Sequence, residues 1–423
     1  MKSRFIATVA GVALVCISLT ACSSSPSTEE SGTTPEASNA LTIGTTSNNQ
    51  VPLDAVVEAY KAKTGQDINV TVADTGQYQT TIRTQLSSGT APDVFTVWAG
   101  SGNPGAIDIL QGAGYLADLS DRAWVDKVDP GTKESLQIDG KTYGLPSKLD
   151  AVGAIYNKAT LDELKLEEPK KYTEMLDFCK KAKDGGKVAF ALGIQTDWVT
   201  QLIPYALSAS AVYGPAPDFG TKLADGSITF ADSGWKDVFE KYLEMNEVGC
   251  FNEDPLGTDV NASYDLVNNG DAVAVVQVLA SYSQITSTAP EGTEYGFFPL
   301  PGDDSGTVSL PRGIGVSFAV NEEAKNKDNA LAFVDWLSTP EAVGIWFDAA
   351  PGLPATTDSG VELDGVMQTA ADIIADGNAT PFPDSEWPSA KPQEALFSGV
   401  QQLFSDQAKV EDVLKSMDQA VQD

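Results

Sequence analysis

The chain has 423 residues, of which 42% are hydrophobic and 8% aromatic, a composition typical of a globular protein long enough to form two lobes. Its 59 acidic residues outnumber its 27 basic residues, and the net charge of −32 excludes nucleic acid as a partner. The sequence contains no histidine, which excludes histidine-dependent triads, histidine-ligated metals and imidazole acid–base catalysis but leaves catalysis by two carboxylates open.

The first 22 residues predict an export signal. Lys2 and Arg4 precede an apolar, uncharged run over residues 5–20. The run ends in Leu-Thr-Ala-Cys at Cys22, which resembles the lipobox of bacterial lipoproteins, where cleavage before the cysteine accompanies acylation of its thiol. We predict a signal peptide at residues 1–21 and lipidation of Cys22. The alternatives are an uncleaved membrane helix, for which the run is short, and an ordinary secretory signal.

A tether is predicted to follow, at residues 22–40. Its sequence, SSSPSTEESGTTPEASNA after the cysteine, has no aliphatic side chain larger than that of alanine and cannot bury itself. A long acidic, serine-rich tether is typical of a Gram-positive surface lipoprotein, so we predict that the protein is anchored on the outer face of the cytoplasmic membrane.

Short strands and amphipathic helices alternate from Leu41 onward. LTIGT, INVTVA and DVFTVW read as strands, and residues 52–63 and the segment carrying Tyr78, Ile82 and Leu86 read as helices. This βαβαβ order predicts a mostly parallel sheet. A second α/β region begins near residue 151, and the chain from Gly365 is helical apart from the loop PFPDSEWPSAKP.

The glycines after the third strand, Gly100, Gly102 and Gly105, spell GxGxxG, the fingerprint of a dinucleotide site. They follow the third strand of the region instead of the first, and Pro104 interrupts the loop, so we favour a loop that lets a ligand approach the backbone. No metal or cofactor is predicted.

Aromatic side chains beside loops indicate a binding site better than the glycine motif does. A sugar ring needs a flat surface to stack on, and it needs carboxylates or amides to bind its hydroxyls. Trp98, Trp198, Tyr282 and Trp387 lie in or next to predicted loops. The other tryptophans lie in helical patterns and are assigned to the core, namely Trp124, Trp235, Trp336 and Trp346. Cys179 and Cys250 either form a disulfide or, for Cys179, fill the apolar face of a helix.

Several stretches together resemble the extracellular solute-binding proteins of ABC importers, of the maltose-binding, oligosaccharide type. They are TTIRTQLSSGTAPDVFTVWAG, YGLPSKLDAVGAIYNKATLDELKLEEPKKYTEMLDF, NNGDAVAVVQV, FFPLPG and RGIGVSFAVNEEAKNKDNALAFVDWLSTPEAVGIWF. The resemblance implies an α/β, two-lobed periplasmic-binding-protein-like fold of type II, with hinge-connected lobes and a central ligand cleft. Its expected lobes are residues 41–150 with 312–351 and residues 151–311 with 352–423.

The resemblance also implies ligand-binding residues. Asn48 and Asn49 match polar ligand contacts that the family has after its first strand. Asp150 matches an acidic ligand contact at the first crossing between the lobes, and Trp98 matches an aromatic side chain of the cleft. The residues that match ligand contacts of the second lobe are Asp197, Trp198, Tyr282 and Trp387. The sequence departs from the family pattern in two places. After NNGDAVAVVQV, where the family often has a glycine and then a tryptophan, this chain has LASY, which ends in Tyr282, and after Trp98 the stretch GSGNPG stands where the family has charged residues.

The predicted function is that of a non-enzymatic, monomeric receptor, which captures a neutral oligosaccharide and delivers it to the transmembrane subunits of an ABC permease. One alternative keeps the fold but binds a cationic small molecule, a polyamine or an amino-acid derivative, through Asp150 and Asp197. The other is an extracytoplasmic glycosidase with two catalytic carboxylates.

Overall fold

The computed structural model describes residues 40–356 and 359–422. The predicted signal peptide, Cys22 and nearly all of the predicted tether lie outside the described residues. The strands are β1 (Leu41–Thr46), β2 (Ile68–Ala73), β3 (Val94–Val97), β4 (Gln137–Ile138), β5 (Lys141–Thr142), β6 (Leu145–Pro146), β7 (Leu149–Asn157), β8 (Val188–Ala191), β9 (Ala272–Val278), β10 (Tyr295–Phe298), β11 (Leu310–Ile314), β12 (Ser317–Val320) and β13 (Ala379–Pro381).

The α-helices lie between and after these strands. They are α1 (Gln50–Thr64), α2 (Thr75–Ser88), α3 (Ile107–Gly112), α4 (Lys158–Glu163), α5 (Tyr172–Asp184), α6 (Leu202–Ser208), α7 (Phe219–Ala224), α8 (Trp235–Val248), α9 (Val260–Asn268), α10 (Tyr282–Ser287), α11 (Lys327–Leu337), α12 (Pro340–Ala349), α13 (Gly365–Ala375), α14 (Lys391–Phe404) and α15 (Val410–Gln422). In the part of the chain that the structure describes, no helix combines the length and the apolar character needed to cross a membrane.

The first sheet has the strand order β2-β1-β3-β12-β6. β1 pairs in parallel with β2 and β3, which confirms the predicted βαβαβ region, and β12 pairs antiparallel with β3. Helix α1 covers this sheet because Leu53, Val56 and Tyr60 share one buried face. It ends at Gly65, whose φ of 75° is the left-handed conformation that favours glycine at a helix C-terminus.

The second sheet has the order β13-β11-β7-β9-β8, and β10 also pairs with β7, beyond the residues that pair with β11. Every residue of β7 is buried, because β9, β10 and β11 pair with its edges and its apolar side chains are divided between two hydrophobic clusters. The chain passes between the sheets at residues 147–148, at residues 315–316, and between β12 and β13, where Leu353 forms a bridge with Leu149 of β7. The fold is therefore a two-lobed α/β fold of type II, while the lobe boundaries drawn from the sequence stay a prediction.

Covalent and aromatic packing completes the second lobe. Cys179 of α5 and Cys250 form a disulfide with 4.8 Å between their Cα atoms. Of the two alternatives for these cysteines, the structure therefore has the disulfide and not a free Cys179. Trp235 is buried in the same apolar cluster as these cysteines, whereas Trp124, Trp336 and Trp346 are buried in the cluster that contains the first sheet; all four tryptophans assigned to the core are at most 8% exposed.

Candidate ligand-binding cavity

A cavity lies where the strand ends of the two sheets face each other. This inner cavity is reached by Thr46 at the end of β1, Trp98 after β3, Asp150 of β7, Ile314 of β11 and the segment 382–385. It leaves about 130 Å³ for the centres of water molecules. This is far above the roughly 10–15 Å³ at which a cavity first admits a single water, so the inner cavity can admit a small ligand.

Three chemical groups in the lining of the inner cavity can bind a polar ligand, beside hydroxyl and aliphatic side chains. The aromatic side chains are Trp98, Trp198, Tyr205, Phe382 and Phe397; the amides are Asn48, Asn49, Gln79, Asn103, Gln201 and Gln393; the charged groups are Lys148, Asp150 and Asp384.

Trp98 is held at the tip of β3 by a backbone loop that folds back on it. Its N–H donates to the Gly105 carbonyl (3.1 Å), and its own carbonyl accepts from the Ile107 N–H (2.8 Å). A Cβ atom on Gly105 would stand 2.8 Å from the indole ring, so only glycine lets the backbone lie this close to it. The indole is fixed against this loop and against Tyr78, whose ring centroid is 6.0 Å away, and it remains half-buried at the cavity.

Asn48 and Asn49 both line the inner cavity, in the turn between β1 and α1. The buried Asn49 donates from Nδ2 to Thr46 Oγ1 (3.1 Å). Its Oδ1 has no hydrogen-bond partner among the described residues. A buried amide oxygen without a donor is costly, so this atom is suited to accept a hydrogen bond from a ligand hydroxyl or from water.

Asp150 is the second residue of β7 and is 3% exposed. Its Oδ1 accepts hydrogen bonds from the backbone N–H groups of Ala151 (2.9 Å) and Ala280 (3.0 Å). Burial raises the pKa of Asp150 to about 6, although the positive charge of Lys148 and these N–H groups act in the opposite direction. The carboxyl group is thus fixed in position at the cavity wall.

Lys148 and Asp384 are charged residues of the cavity that sequence reasoning missed. Lys148 is 2% exposed, and burial lowers its pKa while the charge of Asp150 raises it. Asp384 accepts from Gln393 Nε2 (3.0 Å), which also donates to Gln201 Oε1 (3.0 Å). Enclosure by protein raises the pKa of Asp384 to about 6. The sequence signal for Asp384 is its place in the loop PFPDSEWPSAKP beside a predicted ligand residue.

A second, outer cavity adjoins the inner one and shares Asn48, Trp198 and Gln393 with it. It leaves about 580 Å³ for the centres of water molecules. Asp197 is exposed and lines this outer cavity, not the inner one. The half-buried Trp198 borders both, so the pair Asp197–Trp198 lies where a ligand would extend from one cavity into the other.

The structure does not bring Tyr282 and Trp387 to the cavity, which corrects their assignment as ligand contacts. Trp387 is 0% exposed: its Nε1 donates to Tyr213 Oη (3.0 Å), and its ring meets Trp235 at 5.8 Å between centroids. A ring covered on both faces by protein has no surface left for a sugar. Tyr282 begins α10 and packs edge-on against Tyr295, with 6.0 Å between ring centroids.

The glycines of the GxGxxG stretch contact protein. A Cβ atom on Gly100 would lie 2.3 Å from the Ser385 carbonyl oxygen, and one on Gly102 would lie 1.8 Å from that of Asp384. Between them, Ser101 Oγ donates to the Trp387 carbonyl. Residues 100–102, which follow β3 of the first sheet, therefore touch residues 384–387, which follow β13 of the second, at the rim of the inner cavity. We call this pairing the rim contact.

Two α/β lobes with a polar and aromatic cavity between them form the architecture of proteins that enclose a ligand by hinge closure. The chain belongs to the bacterial extracellular solute-binding protein family, whose family model matches residues 44–344.

Named relatives agree with this membership, and a solved structure shares the fold. The chain is 25% identical to a maltooligosaccharide ABC transporter solute-binding lipoprotein of Streptococcus pneumoniae, over 92% of this chain and 90% of that one. It is 25% identical to the galactooligosaccharide-binding protein of Bacillus subtilis, over 81% and 78% of the two chains. A sugar transporter of Bacillus licheniformis, solved in complex with stachyose, matches with a TM-score of 0.75 and 18% identity over 90% of this chain and 98% of that one.

Proposed function

We propose that the protein captures a neutral oligosaccharide in the inner cavity and delivers it to the transmembrane subunits of an ABC permease. The observation that carries the proposal is the inner cavity itself, where two half-buried tryptophans stand beside amides and carboxylates. Indole rings stack on the C–H faces of sugars, and side-chain oxygens accept hydrogen bonds from sugar hydroxyls. The names of the relatives from Streptococcus and Bacillus support an oligosaccharide.

The size of the site supports more than one sugar unit. The inner cavity encloses one end of the ligand, and the outer cavity, continuous with it along Trp198, takes further units. The protein binds its ligand without turning it over, as a monomer, and Cys22 carries the lipid that holds it on the outer face of the cytoplasmic membrane.

The test is calorimetric titration of the purified protein with maltotriose, raffinose, stachyose, galactotriose and chitotriose. We expect micromolar or tighter binding of at least one sugar and no product after prolonged incubation. Trp98→Ala and Trp198→Ala should each weaken binding of that sugar by about 5- to 150-fold, because an aromatic contact of this kind contributes about 1–3 kcal/mol.

Tyr282→Ala is the matched control, since it removes a half-buried aromatic ring that does not line either cavity. It should leave the affinity unchanged. Binding of none of the five sugars, or equal loss in all three variants, would contradict the proposal.

A second candidate, a cationic small molecule, is favoured by one observation. The outer cavity is bordered by the carboxylates of Asp74, Asp197, Asp259 and Glu394, and by no lysine or arginine of the ranges 40–356 and 359–422. Titration with spermidine at low and high salt separates the two candidates, because attraction between exposed charges is screened by salt whereas sugar binding is not. Salt-sensitive binding of spermidine, together with no sugar binding, would establish this candidate.

A further inference from the structure

Lys148 lies where the segments that join the two lobes meet. Its carbonyl accepts from the Gly315 N–H (3.4 Å), and the N–H of its neighbour Leu149 donates to the Leu353 carbonyl (2.8 Å). A Cβ atom on Gly352 would lie 3.1 Å from Lys148 Cδ. The aliphatic part of the side chain is thus packed beside the connecting segments, and this packing fixes where the ammonium group can be.

The ammonium group of Lys148 takes part in no hydrogen bond and no ion pair with the residues that the structure describes. Lys148 lines the inner cavity and is 2% exposed, and the charge of Asp150, two residues away, acts on it without forming an ion pair. An enclosed ammonium whose three N–H donors find no protein acceptor is costly unless water or a ligand accepts hydrogen bonds from it. Its position at the cavity wall means that the contents of the cavity must satisfy it.

An unused acceptor lies in the same cavity. Asn49 is 1% exposed, lines the inner cavity and leaves its Oδ1 without a donor among the described residues. Sugar hydroxyls both donate and accept, so one sugar unit can bond to a lysine donor and to an amide acceptor. A simple cation offers no acceptor to Lys148 and would be repelled by it.

We propose that Lys148 is a ligand-binding residue, whose ammonium group donates hydrogen bonds to oxygen atoms of the sugar unit enclosed in the inner cavity. The proposal rests on the proposed capture of an oligosaccharide. It assigns Lys148 to the ligand and not to the stability of the empty protein. Because Lys148 sits on the connecting segments, this hydrogen bonding links the ligand to both lobes at their junction.

The experiment compares Lys148→Met with the wild-type protein in two measurements. Methionine keeps much of the length of the side chain and removes the charge and the donors. We expect the affinity for the best-bound sugar of the five-sugar panel to fall by about 10- to 150-fold, which is the loss expected for a hydrogen bond from a charged group. We expect the melting temperature of the protein without sugar to stay the same or to rise, because an unpaired buried charge has been removed.

Two further variants sharpen the result. Lys148→Gln keeps a neutral donor and should bind between the wild type and Lys148→Met. Lys325→Met, which removes the charge of an exposed lysine that lines neither cavity, should change neither measurement.

The opposite pattern would overturn the inference. A purely structural lysine, acting as the counter-charge of Asp150, predicts a lower melting temperature for Lys148→Met without sugar. Normal sugar affinity in that variant would refute the role of Lys148 alone and leave the proposed function intact. Failure of the wild-type protein to bind any of the five sugars would overturn both.

Discussion

Replacing Gly102 with alanine tests whether the rim contact is needed for ligand capture. In the structure, the new Cβ atom would stand 1.8 Å from the Asp384 carbonyl oxygen and 2.4 Å from its carbon, whereas real Cβ contacts do not come below 3.0 Å. The atom opposite is backbone, so no side chain can turn away to make room. The two segments must move apart by about 1 Å or more, and the hydrogen bond from Ser101 to Trp387 is lost with them.

The cost can be estimated from overpacking. An extra methyl group in a packed site costs about 1–3 kcal/mol, which corresponds to a roughly 5- to 150-fold weaker affinity if it falls entirely on the bound state. Titration of Gly102→Ala with the best-bound sugar measures this loss. We expect the two segments to part when the lobes open about their hinge, which relieves the clash, so the melting temperature without sugar should change little.

Gly112→Ala is the matched control, because a Cβ atom there meets nothing within 4 Å and lies in α3. It should bind sugar as the wild type does. The reasoning is refuted if Gly102→Ala also keeps wild-type affinity. It is also refuted if the melting temperature without sugar shows a loss of unfolding free energy as large as the loss of binding free energy, since the clash would then destabilise the fold and not the bound state.

Three further predictions concern stability and attachment. Burial raises the pKa values of Asp150 and Asp384 to about 6, above the ordinary 3.8, so the folded protein binds protons more tightly than the unfolded chain and its free energy of unfolding falls as pH rises from about 4 to 6. In the double variant Asp150→Asn/Asp384→Asn, the melting temperature should therefore fall less as pH rises through this window. A pH dependence equal to that of the wild type would count against the burial of these carboxyl groups. Replacing Cys179 and Cys250 by alanine opens a crosslink between residues 71 apart, and denaturant titration should show a loss of about 2–4 kcal/mol in the free energy of unfolding, against no loss if the cysteines are unpaired. Cys22→Ser should release the protein from the membrane fraction into the medium, and retention in the membrane would argue for an uncleaved helix.

The sequence was sufficient to predict the fold where the hydrophobic pattern is local. The alternation of apolar residues over the first strands and helices defines β1 to β3 and the helices between them, and the structure has them in that order. Trp98 could be assigned to the cavity because the carboxyl ends of parallel strands share one edge of a sheet. The disulfide stayed undecided because its two cysteines come together only through the packing of α5 beside the segment that follows α8.

Trp387 and Lys148 show where such reasoning stops. Trp387 lies among prolines and polar residues, which suggests an accessible loop, yet the rings of Tyr205, Phe230 and Trp235 cover it from distant parts of the chain. Lys148 lies in the polar stretch PSK, where a lysine is normally solvated. Its burial depends on segments more than 160 residues further along the chain, which no local pattern reveals.

The rim contact makes the way the two lobes meet independent of the side chains that select the ligand. At Gly100 and Gly102 the contact is formed between main-chain atoms and leaves no space for a side chain, so it is indifferent to which ligand the cavity holds. Side chains such as Trp98 and Gln393 can be exchanged during evolution, and the ligand changed, while the two segments still meet in the same way. A protein with this fold can therefore change its ligand and keep the same contact between its two lobes.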